Sequence, residues 1–329
     1  MGSYLVTGGC GFIGSHLADA LIADGHSVRI LDDMSTGHIE NKPAAADLIE
    51  GDVADPVIVA KAMHGVDGCF HLAAIASVVR SNLEWRATHR ANLTGSITVF
   101  DAARRAKRTS PIPVVYASSA AVYGQGADTP LRETSATIPL SAYGADKLGS
   151  ELHGAVAWHV HGVPTAGLRF FNVYGPRQDP TSSYSGVISI FCDRLGAGRP
   201  ITLFGDGGQS RDFVFVADVV QGLIAAMRHT TSGARVYNLC TGRSTTILEL
   251  AATIAGILDV RPHISFEPER QGDIRVSCGD PSRAGIELGF VPETSLAQGL
   301  KETLFTSIQT SSIGGLLMPS VPGSELRHG

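Results

Sequence analysis

Short apolar runs alternate with amphipathic stretches through about the first 180 residues. The runs Tyr4–Thr7, Ser27–Leu31, Asp47–Glu50, Gly68–Leu72, Val114–Ala117 and Thr165–Phe171 have the length and apolar character of strands. The runs in GCFHLAA and PVVYASS are nearly continuous in apolar residues, which suits a sheet covered on both faces. Helix-period stretches lie between them: one from about Ile13 to Ala23, stopped by Gly25, and two longer ones, roughly Trp85–Arg105 and Ala142–His161. This alternation predicts an α/β fold, a Rossmann-type doubly wound parallel sheet. After Gly175 turn residues cluster in PRQDPTSSYSG and the alternation loosens. The pattern predicts a first domain over 1–175 and a smaller C-terminal α/β domain over 176–310, from which the chain partly returns to the first. Residues 311–329 are rich in Gly, Ser and Pro without a period and read as a flexible tail.

The first strand runs straight into Gly8, Gly11 and Gly14, and a helix opens there. Glycine lets the backbone approach a pyrophosphate, and the helix N-terminus favours the anion. The next strand ends in Asp32, eighteen residues beyond Gly14, where an acid that bonds an adenosine ribose is expected. A carboxylate accepts from a ribose 2′-hydroxyl and repels a 2′-phosphate. Asp33 adds a second negative charge, or is a solvated turn residue, and no Arg occupies positions 31 to 38. The reading is NAD rather than NADP.

Ser119 stands in VVYASSAAVYG, and Tyr143 and Lys147 follow in YGADK. Tyr143 and Lys147 are four apart and share one face of a helix. An ammonium beside a phenol lowers its pKa from about 10 towards neutrality, where it serves as a general base.

Composition narrows the classes. The chain of 329 residues carries a net charge of −5 and no basic stripe, so nucleic acid is not an expected partner. No apolar run reaches the roughly 18 residues of a spanning helix, so no membrane partner is expected. The first residues are already strand and glycine turn, leaving no room for a signal peptide. The five cysteines are scattered singly, with no CxxC pair. They read as reduced cytoplasmic thiols, and no metal is expected.

Taken in order, GGCGFIG, the Asp32 strand end, GDV at Gly51 to Val53, HLAA at His71 to Ala74, ASSAAVYG, YGADK, RFFNVYGPRQDP, GDGGQSRDFVFVADV, YNLCTG and ERQGDI resemble the extended short-chain dehydrogenases/reductases. The resemblance covers about residues 1 to 305 and is greatest to UDP-hexose 4-epimerases of the UDP-glucose 4-epimerase type. It implies that Tyr143 takes the proton from the sugar 4-hydroxyl while C4 gives hydride to a tightly held NAD. Ser119 would bond the 4-oxygen and Lys147 the nicotinamide ribose. It also implies that Phe12, Ile13, Ser35, Asp52, Val53, Leu72, Ala73, Ala74, Asn92, Ser118 and Phe170 lie at the cofactor. Asn172, Val187, Phe204, Arg211, Arg270, Asp273 and Ser277 would lie at the UDP-sugar, with the two arginines on the diphosphate. A homodimer formed by pairing the two long helices into a four-helix bundle is implied as well.

The residues after Ser119 bear on the reaction. Family dehydratases and decarboxylases carry acids directly before the Val-Tyr-Gly, whereas this chain has Ala120 and Ala121, and a methyl transfers no proton. The resemblance therefore favours 4-epimerisation of UDP-glucose and UDP-galactose. Ser277, at the position that gates the sugar C2 substituent, leaves room for an N-acetyl group. Arg177 keeps UDP-glucuronate open through its C6 carboxylate. A reductase or dehydratase of the same family, and a non-catalytic NAD sensor, are the remaining alternatives.

Overall fold

The structure is a computed structural model that describes residues 1–107, 110–126, 129–179, 186–269 and 274–314, with side chains to Phe305. The six expected strands are all present: β1 (Ser3–Thr7), β2 (Ser27–Asp32), β3 (Asp47–Glu50), β4 (Gly68–His71), β5 (Val114–Ser119) and β6 (Thr165–Phe170). Four short strands follow: β7 (Asn172–Tyr174), β8 (Ile201–Phe204), β9 (Ser210–Arg211) and β10 (Phe213–Phe215). The last four are β11 (Ala234–Leu239), β12 (Thr245–Thr246), β13 (Ile264–Glu267) and β14 (Val276–Ser277). The helices are α1 (Phe12–Ala23), α2 (Pro56–Met63), α3 (Val78–Leu83), α4 (Trp85–His89), α5 (Gly95–Ala103) and α6 (Ala142–His161). After them come α7 (Val187–Gly196), α8 (Val216–His229), α9 (Ile247–Leu258), α10 (Ser282–Leu288) and α11 (Leu296–Gly314).

Seven strands form one parallel sheet in the order β11-β6-β5-β4-β1-β2-β3. The order reverses between β1 and β4, and in an open parallel sheet the crevice at that reversal is where ligands bind. Buried β1 and β4 residues explain the apolar sequence runs: one sheet face packs Leu17 and Leu21 of α1 with Val219 and Leu223 of α8. The other packs Val59 of α2 with Val99 and Phe100 of α5 and Ala157 of α6. A separate apolar cluster joins α7, α9, β8 and β10 and supports the short strands outside the main sheet.

Two expectations change in detail. The stretch expected as one helix from Trp85 to Arg105 is α4 and α5 joined by a wider π-turn over Arg90–Thr94. Side chains enter its hydrogen-bond ladder there: Ser96 Oγ donates to the Asn92 carbonyl (2.5 Å) and Thr98 Oγ1 to the Thr94 carbonyl (2.9 Å). At the C-terminus α11 continues to Gly314, past the expected start of the tail at 311, and 315–329 lie outside the described residues.

Candidate active site

The glycine turn closes between β1 and α1. A Cβ on Gly14 would lie 2.1 Å from the Gly8 carbonyl oxygen, so only glycine lets the helix start this close to the strand end. No side chain caps α1 at Gly11, which leaves its first-turn N–H groups for an anion. Asp32, at the end of β2, is buried, and each carboxylate oxygen takes one backbone N–H: Oδ2 from Cys10 (2.9 Å) and Oδ1 from Met34 (3.0 Å). Burial raises its pKa and the two N–H groups oppose that rise. The remaining lone pairs can accept from ribose hydroxyls. A 2′-phosphate would meet this carboxylate together with Asp33, so the cradle fits NAD. Asp33 is an exposed turn residue whose Oδ1 accepts from the Ser35 N–H and hydroxyl at 2.9 and 2.6 Å.

A cleft of about 870 Å³ runs from this turn across the carboxyl ends of the strands. It gathers Gly8, Gly11, Phe12, Ile13, Gly14, Asp32, Asp33, Ser35, Asp52, Val53, Leu72, Ala73, Ala74, Ser118, Ser119, Tyr143, Lys147 and Phe170. Asn92 is the exception among the expected cofactor residues. It is buried behind the wall, where Oδ1 accepts from the Ile75 N–H (2.8 Å) and Nδ2 donates to the Ile75 carbonyl (3.2 Å). Its side chain thus holds the loop after β4 rather than facing the opening.

At the far end of the cleft, β5 and the start of α6 meet. A Cβ on Gly144 would lie 2.7 Å from the Ala121 carbonyl, and this close approach brings Tyr143 to Ser119. The Ser119 side chain lies against the Tyr143 phenol, and its oxygen accepts from the Ala121 N–H at 3.1 Å. Successive strand residues face opposite sides: Ser118 turns inward and donates to Glu151 Oε1 at 2.5 Å. Ser118 therefore borders the cleft with its hydroxyl already committed.

Lys147 is buried, donates to the Ala117 carbonyl at 2.8 Å, and lies 5.8 Å from the centre of the Tyr143 ring. Burial pushes its pKa down to about 8 while neighbouring Asp146 opposes the shift. The expected lowering of the phenol is corrected here. Burial raises the Tyr143 pKa, and it is the neighbouring Ser119 hydroxyl that pulls it back. Lys147 spends a hydrogen bond on the end of β5 instead, close enough to face ribose hydroxyls in the cleft.

The expected sugar residues lie beyond that cleft. β9 lies beside β14 in a register that sets Arg211 against Ser277, and Arg211 Nη1 donates to the Ser210 and Ile274 carbonyls at 2.9 and 2.6 Å. Asn172 pairs with Phe213 across β7 and β10, and its Nδ2 donates to the Asp212 carbonyl at 3.1 Å. Val187 opens α7 and Phe204 closes β8. Arg270 and Asp273 lie outside the described residues. Arg177 ion-pairs with Asp19 of α1 at 2.7 Å, both side chains partly exposed. Sequence reasoning missed Thr7, His71 and Ser96, a buried chain beneath the cleft floor joined at 2.8 and 3.0 Å. Their signal, a lone His inside an apolar strand, is shared with ordinary core histidines.

The family model of the NAD dependent epimerase/dehydratase family matches residues 4–240. The UDP-glucose 4-epimerase of Mycolicibacterium smegmatis is 38% identical over 307 residues, covering 91% of this chain and 96% of that protein. Among solved structures, the UDP-glucose 4-epimerase of Thermotoga maritima with UDP-glucose is similar at a TM-score of 0.89 and 34% identity, covering 94% of this chain and 99% of the other. The UDP-N-acetylglucosamine 4-epimerase of Methanobrevibacter ruminantium M1, in complex with UDP-N-acetylmuramic acid, is similar at 0.88 and 35%, with the same coverage of 94% and 99%. With the glycine turn, the buried Asp32 and the Ser119–Tyr143–Lys147 edge on one cleft, the chain belongs to the NAD-dependent epimerase/dehydratase family of enzymes, and its cofactor is NAD.

Proposed function

We propose that the protein is a UDP-hexose 4-epimerase that inverts C4 of UDP-glucose and UDP-galactose through a 4-keto sugar. The observation that carries this reading is the turn after Ser119. Ala120 and Ala121 occupy it, beside Tyr143 and Ser119, and neither can supply the acid that elimination or proton handling at C5 requires. A reaction that needs only proton transfer at the 4-oxygen is left.

Bound NAD supplies a hydride acceptor that returns the hydride to the same carbon. The glycine turn and the α1 N-terminus would hold its diphosphate, Asp32 the adenosine ribose, and Lys147 the nicotinamide ribose. Tyr143 takes the proton of the 4-hydroxyl and later gives it back. Ser119 bonds the 4-oxygen and keeps the phenol more acidic than burial alone would. Arg211 and Asn172 face the nucleotide-sugar side, on the part of the chain after residue 175, and Ser277 is a small residue where an N-acetyl group needs space. UDP-GlcNAc and UDP-GalNAc are therefore included among the substrates.

A second copy of the chain is the proposed partner. Leu152, Val156 and Val160 are spaced four apart on one face of α6 and are 63%, 47% and 67% exposed, and Ile97 of α5 is also uncovered. Such a stripe on α6, beside Ile97 of the neighbouring α5, suits pairing with its own copy. Leu152→Glu with Val156→Glu is expected to give a monomer by light scattering. All five cysteines are buried and unpaired, as suits a cytoplasmic setting. No helix among the described residues is long and apolar enough to cross a membrane.

The test is product analysis of purified protein with UDP-glucose, UDP-GlcNAc and UDP-glucuronate and no added cofactor. Conversion of the first two to their 4-epimers, lost in Tyr143→Phe, is expected. Loss of water or of carbon dioxide from any of them would sink the epimerase reading.

A further inference from the structure

Behind the Ser119–Tyr143 contact lies a buried charged network. Glu151 and Arg169 form a two-pronged ion pair, Nε to Oε1 at 2.8 Å and Nη2 to Oε2 at 2.7 Å, with both side chains about 5% exposed. Arg169 Nη1 donates to the Tyr123 hydroxyl (2.8 Å), and its guanidinium stacks 4.7 Å from the Tyr123 ring centre. The Tyr123 hydroxyl donates to Asn238 Oδ1 at 2.6 Å. Asn238 Nδ2 in turn donates to the Leu131 carbonyl at 2.9 Å, and Leu131 is bonded to the chain at Cys278 and Asp280, just past Ser277.

Two features of this network point at the proposed chemistry. Glu151 is on α6, four residues beyond Lys147 and eight beyond Tyr143, on the same helix face. Its Oε1 also receives the Ser118 hydroxyl, next in the chain to Ser119. One carboxylate therefore ties the strand that carries Ser119 to the helix that carries Tyr143. Because Ser118 and Ser119 face opposite ways, holding Ser118 inward aims Ser119 at the phenol.

We propose that Glu151 is a positioning residue: held rigid by Arg169, it clamps Ser118 and so sets the Ser119–Tyr143 separation on which proton transfer depends. The Tyr123–Asn238–Leu131 arm extends the same brace to the strand carrying Ser277. A buried ion pair is costly in desolvation and is a weak source of stability, so a pair placed here and bonded to an active-site neighbour suits positioning. The inference rests on the epimerase reading for its kinetic readout.

Ser118→Ala tests it with the least disturbance, because the Glu151–Arg169 pair stays intact. Using the protein as purified with its cofactor, kcat for UDP-glucose epimerisation is expected to fall roughly 10- to 100-fold, the range that small misplacements of reacting groups produce. KM, cofactor content and melting temperature are expected to stay near those of the unmodified protein. Ser118→Thr, which keeps the hydroxyl, is expected to restore most of kcat. Glu151→Asp, which keeps the charge but withdraws it by one methylene, is expected to lose kcat as Ser118→Ala does. Unchanged kcat in Ser118→Ala and Glu151→Asp would overturn the proposal. So would a loss in Ser118→Ala matched by loss of cofactor and melting temperature. If the unmodified protein converts no sugar, the epimerase reading fails on its own, and crystal structures decide the positioning. A Ser119–Tyr143 separation that widens in Ser118→Ala supports it, and an unchanged one overturns it.

Discussion

On the β1–β2 side of the cleft, the glycine turn and the buried acid come from one stretch of chain, Gly8 to Asp32. Main-chain bonds, Gly11 N–H to the Gly8 carbonyl (3.1 Å) and Gly8 N–H to the Leu31 carbonyl (2.8 Å), and the Cys10 N–H to the Asp32 carboxylate (2.9 Å) set them. Beyond the cleft, at β9 and β14, the groups expected on the nucleotide sugar converge from distant positions. Arg211 is fixed to Ile274, 63 residues away, and lies in register with Ser277 on strands of two residues each. The first wall is set by backbone, and at Gly14 it has no room for a side chain. The second is made of side chains held by short strands. Damage to the first should remove the cofactor outright, whereas damage to the second should weaken one ligand by degrees.

Gly14→Val is the largest expected break. The added Cβ alone would sit 2.1 Å from the Gly8 oxygen, and a backbone atom cannot swing away as a side-chain tip can. The variant is expected to purify without NAD and without activity. UDP binding, measured by calorimetry, should survive, since the β9–β14 wall is built from other parts of the chain. Loss of both ligands together would show that the two walls fold as one unit and would end the contrast. Arg211→Ala is the milder counterpart. Removing a charge-assisted contact to a diphosphate is worth about 1.5–3 kcal/mol, or roughly a 10- to 100-fold rise in KM. Cofactor content should stay full and kcat should change much less, as expected for an interaction made equally in ground and transition states.

The same contrast explains what could be read in the chain beforehand. The glycine turn, Asp32 and the Tyr143–Lys147 spacing are local signals: a turn, a strand end and one helix face each speak within a few residues. The main sheet was legible for the same reason, because its central strands are buried on both sides and so read as unbroken apolar runs. The resemblance implies Asn92 at the cofactor, yet its side chain serves the Ile75 backbone, a contact between a helix and a loop seventeen residues back. The Glu151–Arg169–Tyr123–Asn238 brace was invisible, because its members are spread over helix, strands and turn and each alone looks like an ordinary surface or core residue. The lowered phenol was misread for a different reason. Lys147 does share a face with Tyr143, but helix spacing says nothing of desolvation, and burial dominates the phenol here.

The buried chain beneath the cleft floor gives the subtlest prediction, one that leaves activity at neutral pH nearly untouched. Thr7 Oγ1 accepts from the Leu72 and Ala73 N–H groups, both at 3.2 Å, so its own hydrogen points to His71 Nδ1. The His71 proton then sits on Nε2 and is donated to Ser96 Oγ, whose hydroxyl goes on to the Asn92 carbonyl. Every group is satisfied with a neutral imidazole, and a second ring proton would face a hydroxyl with no lone pair left for it. Burial, with the nearby Lys147 ammonium, accordingly pushes the His71 pKa down to about 3 from 6.5. The sign follows: as pH falls from 6.5 towards 3 the unfolded chain takes up this proton and the folded one does not. Stability should therefore drop by about 1.4 kcal/mol per pH unit over that window from this group alone. Urea unfolding between pH 7 and 4 measures the slope, and His71→Gln, which keeps one donor and one acceptor without titrating, should flatten it by that amount. An unchanged slope in the variant would mean that His71 is already charged in the folded protein, and that the cleft floor carries a cation where the hydrogen-bond chain requires none.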